Sequence, residues 1–299
     1  MTTHSLPKPQ ARHWDIHGLR LTGLEWGAGG DTPVLMLHGW MDHAESFKEL
    51  APRLTGCHVI ALDLSGQGLS DHRAAHATYN IWDDLPQILG VLDQLGWRDC
   101  ILISHSRGAN ISSLLAATQP DRVRGFIGLD SLVVEPTENS VVTTLRAFVE
   151  QTQKQLARAP RTFASRDDYV ARRQAQGNAP HVSEALADRA LEEGPDGFRM
   201  RGDARLFASS AMKLTPADVE AVLRAIQCPV LNIWAQDGIK KNRPKIEALV
   251  ALAQSVIPSF ELLELAGDHH FHLDPKIAEE IAQAVLDFMD RHALSGASA

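Results

Sequence analysis

The sequence predicts an α/β fold in which a mostly parallel central sheet is flanked by helices. Six short apolar runs have the length of strands that are buried on both faces, at residues 34–37, 59–62, 101–103, 126–129, 230–234 and 262–265. Between them, apolar residues three and four positions apart indicate helices at 47–54, 82–95, 111–117, 241–253 and 277–288. Strands that alternate with helices favour parallel pairing and right-handed crossovers.

The beginning of the chain follows a different pattern. Residues 13–25 alternate polar and apolar side chains on either side of His17-Gly18. Alternation around a turn predicts an antiparallel hairpin. We expect this hairpin to lie at one edge of the sheet.

A long insertion interrupts the alternation of strands and helices between residues 132 and 228. It contains no run typical of a buried strand, and amphipathic patterns indicate helices at 141–157, 166–176, 182–193 and 216–226. An insertion of this length is a subdomain rather than a loop. We therefore expect a core domain of residues 1–132 and 228–299 and a helical cap of residues 133–227. The cap should cover the carboxyl edge of the sheet, where open α/β sheets bind ligands.

Composition narrows the class of protein. The 299 residues include 29 Lys+Arg and 37 Asp+Glu, for a formal charge of -8, which does not favour a nucleic-acid or anionic membrane partner. The sequence shows no signal-peptide pattern and no apolar stretch long enough for a membrane span, so we expect a cytoplasmic protein. Cys57, Cys100 and Cys228 form no C-x-x-C pair, which predicts three buried thiols.

Ser106 lies between a predicted strand and a predicted helix, in the motif ILISHSRG at residues 101–108. A sharp turn from strand to helix through small residues exposes a serine Oγ at a helix N-terminus, where backbone N–H groups favour negative charge. The motif departs from the G-x-S-x-G pattern of such nucleophile elbows, since Ser104 replaces the first glycine while Gly108 is kept. The alternative is a serine that only caps the helix.

The motif LHGWMD at residues 37–42 ends another predicted strand. The backbone N–H of Trp40 and that of Arg107 are the predicted donors of an oxyanion hole. His38, Trp40 and His105 are candidates for lining the substrate pocket, although core packing is an alternative for Trp40. We expect the Arg107 guanidinium to pair with a cap carboxylate, with a substrate carboxylate as the alternative.

A histidine-rich loop, GDHHFHLDP at residues 267–275, follows the last predicted strand. A catalytic histidine is expected there because it follows the serine and the acid in chain order. We select His269, which lies on the turn directly after the strand, and expect His270 and His272 to be packing or hydrogen-bonding groups. A metal site formed by the three histidines is the alternative.

These motifs, over residues 38–275, resemble the α/β-hydrolase fold superfamily, in particular its serine-nucleophile members with a helical cap. Residues 63–70, DLSGQGLS, are similar to the family's turn after the next sheet strand. Residues 38–42, the cap segment RGDARL at 201–206 and Asp130 are most similar to the group called serine hydrolase-like proteins. The resemblance implies the fold but does not specify a substrate.

Two aspartates compete for the acid of a catalytic triad. Asp130 ends the strand before the cap, and Asp237 ends the strand after it. The later position is the commoner one in the superfamily. However, Asp237 is one residue closer to Trp234 than the aspartate of the usual W-G-x-x-D spacing. The resemblance to serine hydrolase-like proteins favours Asp130, with Asp237 as the alternative.

The sequence thus predicts a carboxylic ester hydrolase with Ser106 as nucleophile, His269 as general base and acid, and Asp130 as the residue that orients His269. We expect a small-molecule substrate, no metal or organic cofactor, and a possible homodimer. One alternative is a reaction like that of the cofactor-independent 2,4-dioxygenases of this fold, which act on hydroxylated heteroaromatic compounds. Another is a non-catalytic sensor of a small ligand.

Overall fold

The computed structural model describes residues 6–159, 161–243 and 245–296. In these ranges the strands are β1 Gln10–Ile16, β2 Leu19–Trp26, β3 Thr32–Leu37, β4 Cys57–Leu62, β5 Cys100–His105, β6 Val123–Leu129, β7 Thr162–Phe163, β8 Leu191–Gly194, β9 Gly197–Met200, β10 Val230–Asp237 and β11 Phe260–Asp268. The α-helices are α1 Leu85–Gln94, α2 Arg107–Thr118, α3 Val141–Leu156, α4 Arg166–Ala175, α5 Pro180–Ala185, α6 Ala187–Ala190, α7 Pro216–Ala225, α8 Lys245–Val256 and α9 Pro275–Arg291.

Eight strands form the central sheet in the order β1-β2-β4-β3-β5-β6-β10-β11. The strands from β4 to β11 in this order pair in parallel, and β1 and β2 form an antiparallel hairpin at one edge. The hairpin turns at His17 and Gly18, which both have positive φ. The predicted mostly parallel sheet and its edge hairpin are therefore confirmed.

One predicted strand differs in its burial. β11 lies at the other edge of the sheet, and its burial alternates along the strand. Leu263 and Leu265 pack against the core, whereas Leu262 is 46% exposed. The expectation that this strand is buried on both faces was wrong, since an edge strand is covered less completely than a central one and no residue of β11 is fully buried.

Apolar clusters cover both faces of the sheet. One cluster contains Ile88 of α1, Leu115 of α2 and Val219 of α7, and the other contains Phe47 and Val285 of α9. The helix predicted at 47–54 is instead two 3₁₀ turns, Ala44–Phe47 and Ala51–Arg53. Pro52 explains the difference, because proline in a helix interior removes a hydrogen-bond donor and clashes with the preceding turn.

The inserted segment is not purely helical. It contains an antiparallel sheet in the order β7-β9-β8, and the helix predicted at 182–193 is α5, α6 and then strand β8. The residues G-P-D-G at 194–197 join β8 to β9, and Gly197 has positive φ. That turn pattern was a sequence signal for a hairpin. The limits of the cap remain a prediction, and α7 shares its apolar cluster with α2 of the core.

The structure bears on two further expectations. Cys57, Cys100 and Cys228 are buried free thiols, as predicted. Within the described ranges, no helix combines the length and the apolar character needed to cross a bilayer. The cytoplasmic location and the homodimer remain predictions.

Candidate active site

Ser106 lies on a strained turn between β5 and α2. Its backbone has φ 53° and ψ -118°, a conformation that L-residues rarely adopt and that often marks a functional site. Gly108 permits this turn, because a Cβ there would lie 2.1 Å from the carbonyl oxygen of Leu37. Ser104 is buried and shares a 2.7 Å hydrogen bond with the Ser112 hydroxyl, which explains how serine fits where the elbow pattern has glycine.

The side chains of Ser106, His269 and Asp130 form a hydrogen-bonded chain. The Ser106 Oγ lies 3.0 Å from His269 Nε2, and His269 Nδ1 lies 2.7 Å from Asp130 Oδ2. Because a carboxylate only accepts, Nδ1–H donates to Asp130 and Nε2 is free to accept from the serine hydroxyl. The three residues selected from the sequence are thus brought together in the order that nucleophilic serine chemistry requires.

Asp130 is held rigidly beneath the histidine. Its carboxylate is fully buried and accepts hydrogen bonds from the backbone N–H groups of Ala235 at 3.1 Å and Ile239 at 2.9 Å. Gly238 leaves the space for it, since a Cβ at that position would lie 2.2 Å from Asp130 Oδ1. Asp237 instead points to solvent and pairs with Lys241 at 2.7 Å. The structure brings Asp130, and not Asp237, to His269.

The surroundings of His269 keep its imidazole neutral. Burial lowers the pKa of His269, the nearby His105 lowers it further, and the Asp130 carboxylate opposes both effects. A lowered pKa leaves the ring deprotonated at neutral pH. His269 is therefore in the form that accepts a proton from Ser106.

The loop after β3 passes directly over Ser106. A Cβ on Gly39 would lie 3.3 Å from the Ser106 Cβ and 3.0 Å from His105 Nδ1, tight contacts that favour glycine at this position. Among the described residues, neither the N–H of Trp40 nor that of Arg107 has a hydrogen-bond acceptor. Two unsatisfied donors beside a serine Oγ suit a developing oxyanion.

The Trp40 side chain belongs to the boundary between core and cap. Its ring is 49% exposed, Nε1–H donates to the carbonyl oxygen of Leu206 at 3.0 Å, and the ring meets Phe207 edge-on at 4.8 Å. Trp40 lines the cleft beside Ser106. This placement fits a substrate pocket and does not fit the core-packing alternative.

The two pocket histidines lie in different environments. His105 lines the cleft, and its Nε2–H donates to the carbonyl oxygen of His269 at 2.7 Å. His38 is fully buried, with one ring nitrogen 2.8 Å from the Gly39 carbonyl oxygen and the other accepting from the Leu64 N–H at 3.0 Å. The expectation that His38 faces the substrate was therefore wrong, because both of its nitrogens brace the loop from behind.

Arg107 also differs from expectation. Its guanidinium donates to Asp84 at 3.0 Å, and Asp84 is buried and also bound by Arg73. The carboxylate belongs to the core, just before α1, and not to the cap. The Arg107 guanidinium is thereby held away from the cleft.

The histidine-rich loop also contributes to a group that has the composition of a metal site. Among the described residues, Asp42, His105 and His270 place ligand atoms within 4.8 Å of one another. Two imidazoles and a carboxylate suit a zinc-like ion. His272 is not part of this group, because its Nε2 lies 2.9 Å from the Ser46 Oγ. The hydrogen-bonded chain from Ser106 to Asp130 includes neither Asp42 nor His270.

Ser106 lies between two cavities. A cleft of about 480 Å³ lies between it and the cap, whose wall includes Phe163, Tyr169 and Arg173. A smaller cavity of about 140 Å³ extends to the other side. The cap residues of this cleft were missed from the sequence, because helical periodicity does not show which residues of α4 face Ser106.

Comparisons with known proteins agree with this architecture. The model of the α/β hydrolase fold family matches residues 32–276. The chain is 31% identical over 291 residues to a serine hydrolase-like protein of Dictyostelium discoideum, with 91% of this chain and 79% of that protein covered. It is 27% identical over 281 residues to a serine hydrolase-like protein of Danio rerio, with 90% and 85% covered. A solved structure of a hypothetical protein from Pseudomonas aeruginosa has a TM-score of 0.88 at 33% identity, over 94% of this chain and 100% of that one.

The chain therefore belongs to the α/β hydrolase fold family. Within this family it is related to the serine hydrolase-like proteins, over most of its length. Both parts of the predicted resemblance are confirmed.

Proposed function

We propose that this protein is a serine hydrolase that cleaves a carboxylic ester, or a related acyl bond, through an acyl-enzyme intermediate on Ser106. The observation that carries the proposal is the hydrogen-bonded chain from the Ser106 Oγ through His269 to the buried Asp130. The strained turn at Ser106 and the names of its serine hydrolase-like relatives support the same chemistry.

The first half of the reaction forms the acyl-enzyme. His269 Nε2 takes the hydroxyl proton of Ser106 while Oγ attacks the ester carbonyl carbon. The carbonyl oxygen becomes an oxyanion and accepts hydrogen bonds from the N–H groups of Trp40 and Arg107. The bond to the alcohol then breaks, and His269 returns the proton to the departing oxygen.

The second half releases the acid. A water molecule occupies the place of the alcohol, His269 takes its proton, and the resulting hydroxide attacks the acyl carbon. The Ser106 Oγ leaves and recovers its proton from His269. Throughout, Asp130 holds the Nδ1–H tautomer and stabilises the imidazolium when it forms.

A panel of 4-nitrophenyl esters with acyl chains of increasing length tests this proposal. Wild-type protein should release 4-nitrophenol, and Ser106→Ala should lower kcat by several orders of magnitude, since triad members act as a unit. Ser255→Ala is a control, because Ser255 is exposed on α8, donates to the Leu252 carbonyl oxygen and lines neither cavity beside Ser106. Equal turnover by wild type and Ser106→Ala would contradict the proposal. Oxygen uptake with hydroxylated heteroaromatic compounds would instead support the dioxygenase alternative.

A further inference from the structure

The cleft beside Ser106 has an unusual charge. The described residues that line it include four arginines, Arg161, Arg172, Arg173 and Arg243, and no aspartate or glutamate. The chain as a whole carries a net charge of -8. A local excess of cations in an acidic protein creates a positive potential that attracts and orients anions.

Three of these arginines lack an acidic partner among the described residues. Arg243 pairs with Glu135 at 3.1 Å, but the ion pairs present include none for Arg161, Arg172 or Arg173. Elsewhere in the chain, arginines that are mostly buried do have carboxylates, as Arg189 has Asp63. Cationic groups without counter-charges at a site entrance are a feature of anion binding.

Arg173 is the most constrained of the three. Its Nη1 donates to the Tyr169 hydroxyl at 3.3 Å, its guanidinium lies 5.8 Å from the centre of that ring, and its Nε is buried without a hydrogen-bond partner. Arg173 also lies close enough to His270 to help lower the pKa of that ring. The guanidinium is therefore fixed near the histidine-rich loop with unused donor capacity.

Arg161 experiences repulsion from its neighbours. Burial lowers the pKa of Arg161, and the positive charges of Arg172 and Arg158 lower it further. An anion placed among these side chains would relieve that repulsion, and the planar guanidinium fork matches a carboxylate or a phosphate. Arg161 also lines the adjoining cavity of about 630 Å³ between core and cap, where Glu192 and Asp203 pair with other arginines.

The smaller cavity on the other side of Ser106 is more apolar, although the ion pair of Arg243 with Glu135 also lines it. Apolar side chains contribute much of the lining of the smaller cavity, namely Leu132, Val133, Val134, Trp234, Ile239, Ile246, Leu249 and Val250. Ser106 lines both cavities. The acyl group and the alcohol group of an ester bound at its Oγ therefore extend into two cavities that differ in charge and polarity.

We propose that the substrate is an ester with a short apolar group on one side of the scissile bond and an anionic group on the other. Arg161, Arg172 and Arg173 bind the anion, a carboxylate or a phosphate, and the smaller cavity takes the apolar group. This inference rests on the proposed serine hydrolase function and assigns it a substrate class.

Matched pairs of esters test the inference. For a charge on the acyl side, mono(4-nitrophenyl) glutarate is compared with neutral 4-nitrophenyl pentanoate. For a charge on the alcohol side, 4-(butanoyloxy)benzoate and 4-(butanoyloxy)phenyl phosphate are each compared with neutral 4-(butanoyloxy)benzamide. Each kcat/KM is divided by the rate of hydroxide hydrolysis of the same ester. In at least one comparison, the anionic ester should be favoured about tenfold or more, as charge-assisted hydrogen bonds predict.

Three variants of the cleft link this preference to the arginines. Arg173→Gln and Arg161→Gln should each reduce the anionic-to-neutral ratio severalfold, while Arg173→Lys should retain part of it because the charge remains. Arg224→Gln is the control, since Arg224 is exposed on α7 and pairs with Glu220. The control should retain the wild-type ratio. If a cleft variant does not fold, the salt dependence of the anionic-to-neutral ratio of wild type provides the test. Raising ionic strength from about 0.05 M to about 0.5 M should reduce a preference that is based on charge.

The outcomes separate this inference from the proposed function. Hydrolysis of the neutral esters with no preference for any anionic ester would overturn the substrate class and leave the serine hydrolase intact. A preference that persists in Arg173→Gln and Arg161→Gln, or that salt does not reduce, would also overturn it. Hydrolysis of none of the esters, together with an unreactive Ser106, would overturn both.

Discussion

Asp130 Oδ2 lies 2.7 Å from His269 Nδ1, although 139 residues separate the two in the chain. The contact depends on adjacent strands, because β6 ends just before Asp130 and pairs with β10, which pairs with β11 before His269. The segment inserted between β6 and β10 follows directly after Asp130, so adjacent strands of the central sheet bring Asp130 and His269 together.

Replacing the two competing acids distinguishes their roles. Asp130→Asn should lower kcat by about 10⁴-fold, because an amide does not hold the Nδ1–H tautomer. Asp237→Asn should change kcat little, since Asp237 is exposed and pairs with Lys241. Steady-state kinetics on an activated ester measures both. A large loss in Asp237→Asn with little loss in Asp130→Asn would contradict this assignment.

The pH dependence of the reaction should reflect the lowered pKa of His269. The general base works only when neutral, and a pKa below the ordinary value of 6.5 keeps it neutral to more acidic pH. The acid limb of kcat/KM should therefore have its midpoint below pH 6.5, with activity lost as pH falls through it. A pH profile of kcat/KM for a neutral ester measures the midpoint. A midpoint at or above about 7 would contradict the expected effect of burial.

Gly238 should be required for catalysis although it lines neither cavity beside Ser106. A Cβ there would collide with the Asp130 carboxylate, so Gly238→Ala must displace the acid or the loop. A displacement of about 1 Å lowers rates by about 10²-fold. Gly29→Ala is the control, since a Cβ at Gly29 meets nothing within 4 Å. Equal kcat values for the two variants would contradict the prediction.

The buried ion pair between Asp63 and Arg189 should hold the cap on the core. Asp63 is fully buried, and its pKa is lowered because hydrogen bonds and the charge of Arg189 outweigh the effect of burial. Arg189→Met leaves this carboxylate without its partner and should lower the free energy of unfolding by about 3–5 kcal/mol. Urea unfolding measures this loss.

A surface ion pair provides the comparison for that experiment. Arg166 pairs with Glu184 and Asp188 at exposed positions of the cap, so Arg166→Met should cost only about 0–1 kcal/mol. If the free energy of unfolding falls equally in Arg189→Met and Arg166→Met, the Asp63–Arg189 pair is not the main contact between cap and core. Adding Asp63→Asn to Arg189→Met should recover part of the loss, since no buried charge then remains unpaired.

Local sequence signals predicted the nucleophile and the base of the candidate site. Ser106 and His269 each follow directly from a strand and a turn that adjoin them in the chain. Asp130 was favoured over Asp237 only through a family resemblance, because both end sheet strands and only the three-dimensional structure shows which carboxylate turns inward. The prediction for His38 was wrong because a residue that is close to pocket residues in the sequence can lie behind their loop in the folded structure.

The cap was harder to predict than the sheet. Buried strands of the core have continuous apolar runs, whereas β7, β8 and β9 are two to four residues long and half-exposed. Such strands have no periodicity that distinguishes them from a helix end. The cationic wall of the cleft was missed for a related reason, since Arg161 and Arg173 lie on different elements that meet only in the folded cap.

The central claim is that Ser106 is an activated nucleophile, and intact-mass spectrometry after treatment with a fluorophosphonate tests it most directly. Such a reagent reacts with a serine where a base and an oxyanion site are already assembled. We predict one adduct on wild type and on Ser255→Ala, and none on Ser106→Ala. No adduct on folded wild-type protein, or an adduct that persists in Ser106→Ala, would contradict the claim.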